Sequence, residues 1–213
     1  MKSIAAAALA AALSLPTQAA NLLTNASFEN PGCAGNCILG GGSTFVTGWT
    51  TVLSGAEYFN APAFGFAGVD GVMVVDLANF VFSAGGIQQS FVTAPGQQYT
   101  LSFYAGNSLS SGRTGTGDVR VQVGNVDVVL QTPVALSAAI AWSLVSVDFV
   151  AQSSQTTLTF SNLQNANLHF ALIDGIGVDV AAVPEPGSWA LVAGGLLGLA
   201  ALGRRRAGAG ATR

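Results

Sequence analysis

Apolar and polar residues alternate along most of this chain. Residues 98–105 put Tyr99, Leu101, Phe103 and Ala105 on one side and Thr100, Ser102 and Tyr104 on the other, the period-two pattern of a strand with one buried face. Residues 119–123 repeat it, Gly124-Asn125 supplies a turn, and residues 126–130 return as in a hairpin. In 142–151, Val145, Val147, Phe149 and Ala151 alternate with Ser146, Asp148 and Val150, residues 157–161 make a shorter strand, and 168–180 form an apolar run interrupted by Asp174 and Gly175. With 27–29, 44–47, 57–60, 72–77 and 87–93 there are about ten candidate strands joined by Gly, Ser, Asn and Pro. Many short strands without amphipathic helices predict an all-β fold, an antiparallel β-sandwich with a jelly roll as the leading arrangement. Only residues 134–141 suggest a helical turn.

The two ends do not fit the alternation. Lys2, an apolar stretch over 4–15, Pro16 and the small residues Thr17-Gln18-Ala19-Ala20 have the layout of a secretory signal peptide, cut after Ala19 or Ala20. At the other end, Val183-Pro184-Glu185-Pro186-Gly187 precedes an uncharged run over 188–202 and the cluster Arg204-Arg205-Arg206. The expected organisation is a leader (1–20), a sandwich domain (21–182), a tail with one transmembrane helix (183–206) and a disordered end (207–213). The fifteen residues of the apolar run span about 22 Å as a helix, short of the roughly 30 Å hydrocarbon core. That length suits a temporary stop better than a permanent anchor. Arginines on the cytoplasmic side put the domain in the periplasm.

Residues 21–185 hold ten carboxylates against two cations, Arg113 and Arg120, a formal charge of −8. With no basic patch to displace counterions from phosphates, no nucleic-acid partner is expected. Cys33 and Cys37 stand four residues apart in a Gly-rich stretch of an exported domain, which favours a local disulfide. A zinc site would need further ligands, and the one histidine, His169, is remote in sequence.

Catalytic chemistry finds little support. A single histidine restricts any Ser-His-Asp or Cys-His scheme to His169, and no Gly-x-Ser-x-Gly elbow occurs. Glu29, Glu57, Asp70, Asp76 and Asp174 are the pool for a glycosidase-type pair, but each adjoins a turn or strand end, where carboxylates commonly accept backbone hydrogen bonds. A sugar surface would use an aromatic platform with polar neighbours. Tyr104, Asn107 and Arg120 are the candidate ligand-binding residues, with Tyr104 the aromatic that points away from the apolar face of its strand.

Residues 183–206 resemble the PEP-CTERM sorting signal of Gram-negative bacteria. The resemblance implies recognition by a membrane-embedded exosortase, transient residence in the inner membrane through 188–202, and release or transfer to the cell surface. The body is similar to the galactose-binding-like jelly roll of DUF642 and choice-of-anchor proteins in Asn21-Leu22-Leu23-Thr24-Asn25-Ala26-Ser27-Phe28-Glu29, Gly48-Trp49, residues 86–91 and 95–103, and Ile173-Asp174-Gly175-Ile176. That likeness implies a structural calcium on Glu29 and Asp174 with carbonyls near Asn25 or Ser27. Many relatives have two consecutive acids where this chain has Asp174-Gly175, so one ligand is missing. The expected function is a non-enzymatic exported surface or extracellular-matrix protein with weak polysaccharide binding. A dedicated carbohydrate-binding module is the alternative; a hydrolase or an ice-binding protein, for which no regular Thr-x-Thr array exists, ranks lower.

Overall fold

The computed structural model describes residues 20–77, 84–164 and 168–181, together with Gly195. The chain divides into two compact units, residues 1–180 and 181–213. The expected leader apart from Ala20, the apolar run apart from Gly195, the arginine cluster and the motif at 183–187 lie outside the described residues. No helix among the described residues is long and apolar enough to cross a membrane.

The first unit is an antiparallel sandwich. One sheet joins β1 (Asn36–Gly40), β3 (Gly55–Asn60), β4 (Met73–Asp76), β11 (Leu172–Val180), β6 (Gln98–Asn107) and β9 (Ala141–Val150), in that order. The other joins β2 (Thr50–Leu53), β5 (Gly85–Val92), β10 (Gln155–Asn162), β7 (Asp118–Val123) and β8 (Val126–Gln131). Only β3 to β4 and β7 to β8 stay within one sheet; every other connection crosses, giving the expected jelly roll. The period-two positions of β6 are the core: Leu101, Phe103 and Ala105 are fully buried, and the Phe103 ring lies 4.9 Å from that of Phe160 on β10. Burial of each such large apolar side chain contributes roughly 1.5–3 kcal/mol.

Differences from the expected elements fall at the edges. Residues 27–29 form no strand, because Phe28 adopts φ 64° in a turn closed by its N–H to the Asn25 carbonyl. Residues 44–47 form no strand; Trp49 N–H closes a turn on Val46 O, and Thr47 N–H donates to the distant Asn30 O. β1 and β2, both sheet edges, are additional. Residues 134–141 contain no helix. The Cys33–Cys37 disulfide is formed, with Cα atoms 6.4 Å apart, and ties the preceding loop to β1 instead of closing a loop alone.

A second apolar layer covers the outer face of the six-stranded sheet. Phe59, Ala61, Val74 and Leu172 are buried there, with Phe66, Ile140, Trp142 and Phe170 packed against them. β3 explains how: Tyr58 points into the sandwich and its neighbour Phe59 points out, yet both are buried. The cover is the segment after β3, a short 3-10 turn Ala61–Phe64 and the loop returning to β4, held by Trp142 Nε1 donating to the Ala67 carbonyl at 3.1 Å.

Candidate functional site

The segment between β3 and β4 forms one wall of an open cleft of about 300 Å³, lined by Phe59, Phe64, Phe66 and Phe170 with Asn36, Glu57, Ser110, Ser111 and Arg113. Phe64 and Phe66 stand edge-on to Phe59, with ring centroids 5.9 and 6.4 Å away. Phe64 is 49 % exposed, so its ring faces the opening.

The polar groups of the cleft come from register. Glu57 on β3 lies directly across from Asp76 on β4, and Asp76 lies across from Leu172 on β11. Arg113 reaches in from the loop before β7. Its Nη1 is 3.1 Å from Asp76 Oδ2, with both side chains fully buried, and its Cζ sits 3.5 Å from the Phe170 ring centroid. The Ala171 N–H donates to Asp76 Oδ1. A buried guanidinium–carboxylate pair of this kind holds its shape because neither partner can be left alone in low dielectric. Asn36 Nδ2 donates to Glu57 Oε1 at 3.0 Å, so the carboxylate and amide at the rim are held together. The arrangement pairs apolar rings with fixed polar groups, suited to a ligand that has both kinds of surface.

Tyr104 lies on the same outer face but not in this cleft. It pairs across strands with Asp174 and Leu144, three strand spacings from β3, or about 14 Å. Asn107 is 1 % exposed; its Nδ2 donates to the Gly115 and Pro133 carbonyls and its Oδ1 accepts from Ser108 N–H, so it ties loops together instead of facing a ligand. Arg120 is on the outer face of the other sheet, bound through two nitrogens to Asp127 at 2.7 and 2.6 Å, which holds the Asp127 carboxyl below its ordinary pKa. The three expected ligand residues therefore do not form one site. Tyr58 and Trp49 are core residues: the Tyr58 hydroxyl donates to Phe28 O at 2.6 Å, and Trp49 Nε1 donates to Asn25 O at 3.1 Å.

Glu29 and Asp174 do converge, on the loop from Gly68 to Met73. Glu29 Oε1 accepts from Val72 and Met73 N–H at 2.8 and 2.7 Å. Asp174 Oδ2 accepts from Val69 and Asp70 N–H at 2.6 and 3.1 Å, and its Oδ1 from Gly175 N–H at 2.7 Å. The approach requires glycine: a Cβ on Gly71 would lie 2.4 Å from Glu29 Cδ, and one on Gly68 would lie 3.2 Å from Asp174 Oδ2. Calcium needs six to eight oxygen ligands. Here Glu29 Oε1 and both Asp174 oxygens accept from backbone N–H donors, and no group of three or more His, Cys, Asp or Glu that could hold a metal occurs among the described residues. The pair does not fit the expected cation; it pins the loop that carries Phe64 and Phe66. Burial pushes the Asp174 pKa up to about 6, and the charge of Asp70 adds to the rise, while the three N–H donors oppose it.

His169 lies just before β11, 6 % exposed, with Nε2 lacking a hydrogen-bond partner among the described residues. Burial lowers its pKa below the ordinary value. The expectation from sequence is a strand residue with a satisfied ring; His169 instead lies outside the strands, and its Nε2 is unsatisfied.

Similar solved structures include part of the tailspike protein 4 of bacteriophage CBA120, at 12 % identity and TM-score 0.46, over 75 % of this chain and 21 % of that one. A family 61 carbohydrate-binding module solved with β-1,4-galactotriose matches at 16 % identity and TM-score 0.45, over 76 % of this chain and 99 % of the module. A Podospora anserina mannanase carrying a family 35 module matches at 18 % identity and TM-score 0.42, over 72 % of this chain and 29 % of that one. No curated protein matches the chain in sequence. Residues 182–206 match the PEP-CTERM protein-sorting motif, which implies exosortase-sorted export. Residues 21–178, which contain the whole outer-face cleft, match the model described as protein of unknown function (DUF642), and the chain belongs to that family.

Proposed function

We propose that this is an exported, exosortase-sorted, non-enzymatic protein of the cell surface or extracellular matrix that binds polysaccharide through the outer-face cleft. The observation that carries the reading is the exposed Phe64 ring beside a fixed set of polar groups. A pyranose has apolar C–H faces and a polar rim. Its face would lie on Phe64 and Phe66, and its hydroxyls would meet Asn36, Glu57, Ser110 and Ser111. A formed cleft favours a dedicated binding module over a purely structural role. The absence of catalysis is supported by Asp76, whose two oxygens are engaged by Arg113 and Ala171 and so are poorly placed to transfer a proton. After tail processing the protein leaves the inner membrane, where 188–202 holds it only transiently.

The test is affinity electrophoresis of the exported protein in gels containing different polysaccharides. Phe64→Ala and Phe66→Ala each weaken retardation about tenfold, the loss of one ring contact of ~1.4 kcal/mol. Retardation that survives in both variants, or that depends on Tyr104 instead, overturns the assignment. Turnover of the polysaccharide by the purified protein overturns the non-enzymatic part.

A further inference from the structure

We infer that the cleft takes an uncharged glycan and discriminates against uronate-containing and sulfated polymers, a conclusion that rests on the cleft being a glycan site. Arg113 and Arg120 are the two cations of residues 21–185. Arg120 lies on the opposite face of the sandwich and is held by Asp127 through both of its bonded nitrogens. Arg113 is the cation at the cleft, and it is fully buried against Asp76 and over Phe170. Glu57 and Asp76 together outnumber it there.

An anionic sugar entering the cleft meets the Glu57 carboxylate in its lining and an Arg113 cation already compensated by Asp76, on a domain whose formal charge is −8 over residues 21–185. Like charges a few ångströms apart in a partly desolvated cleft cost at least tenfold in affinity. The Phe170 ring is already covered by the Arg113 guanidinium at 3.5 Å, which leaves Phe64 and Phe66 as the open aromatic surface. The groups that remain are aromatic C–H surface, the Asn36 amide and the Ser110 and Ser111 hydroxyls, all suited to neutral hydroxyls and C–H faces. Such binding lacks a leading ionic component, so it is insensitive to screening.

The test uses the exported protein in affinity gels with neutral polymers (β-glucan, galactan, xylan, mannan) and polyanions (polygalacturonate, alginate, dextran sulfate), at low salt and at about 1 M NaCl. The expected result is retardation by at least one neutral polymer, unchanged by salt and lost in Phe64→Ala. Affinity for every polyanion should be at least tenfold weaker. A Phe64-dependent retardation by a polyanion that matches the neutral polymers and fades with salt overturns the inference while leaving the cleft as a glycan site. Retardation by no polymer, or neutral retardation untouched by Phe64→Ala, overturns the glycan site itself. Since Phe64 is 49 % exposed, its truncation leaves the fold intact, and unchanged circular dichroism of the variant checks this.

Discussion

The buried carboxyl of Asp174 makes stability depend on pH in a direction opposite to that of most carboxylates. Its folded pKa of about 6 stands above the ordinary 3.8. Between those values the folded chain keeps a proton that the unfolded chain has lost, so stability is greatest below pH 3.8 and declines as pH rises to about 6. At roughly 1.36 kcal/mol per pH unit, the full swing is about 3 kcal/mol. Asp174→Asn isolates it. Near pH 4 the protonated acid and the amide are close isosteres: each keeps one carbonyl oxygen to accept from the Val69 and Asp70 N–H groups, and each sets a donor group against the Gly175 N–H. Asp70, Glu29 and Tyr104, the titratable neighbours on the pinned loop and on β6, remain in both proteins and largely cancel. Urea unfolding from about pH 4 to pH 7.5 should show the variant gaining about 3 kcal/mol on the wild type. Parallel stability curves, or a wild type that gains with pH, would mean that the three N–H donors outweigh burial and that Asp174 is a stabilising anion.

Other changes test the remaining contacts. Arg113→Met leaves Asp76 buried without its cation and should cost roughly 3–5 kcal/mol, most of which Asp76→Leu restores in the double variant; urea midpoints measure both. Reducing Cys33–Cys37 opens a ring of five residues and should lower stability by no more than about 2 kcal/mol, read as a small shift in Tm. Millimolar calcium or a chelator should leave Tm unchanged, because Glu29 and Asp174 face backbone N–H groups; a calcium-dependent rise lost in Asp174→Ala would restore the cation. Mass spectrometry of the exported protein should find a C-terminus lacking Arg204, Arg205 and Arg206, and their retention in cells with exosortase would contradict processing.

The alternation in β6 to β10 was legible because those strands bury one face and leave the other wet, the condition under which period two appears in sequence. β1 and β2 escape it: they are edge strands of only five and four residues, and their pairing is decided by neighbours distant in the chain. The pattern at 27–29 misleads for a different reason, since Ser27-Phe28-Glu29 alternates while Phe28 enters the core from a turn with φ 64°. The cleft was hidden by β3, where both faces are covered. Tyr58 and Phe59 are adjacent and both buried, and a strand covered twice reads as an apolar run without a preferred side. The segment that covers it, residues 61–72, is Ala, Pro, Phe, Gly and Val with the single polar residue Asp70 and no period, so Phe64 and Phe66 carry no sign of exposure.

The grouping of Tyr104 with Arg120 failed in an instructive way, because alternation places both side chains correctly on the outside of their strands. In a two-layer sandwich, outside is two directions. Which one a residue faces depends on whether its strand pairs with β11, as β6 does, or with β10, as β7 does. That choice is made by contacts between residues 37 to 81 positions apart in the chain, and no local periodicity encodes it. Asn107 failed by a neighbouring mechanism. It continues the inward-facing series of Phe103 and Ala105 to the end of β6, where the loops carrying Gly115 and Pro133 take up its amide. Sidedness along one strand is local physics; membership of a site is topology, and here topology moves the ligand-facing surface to the rings on the β3–β4 segment that Glu29 and Asp174 hold in place.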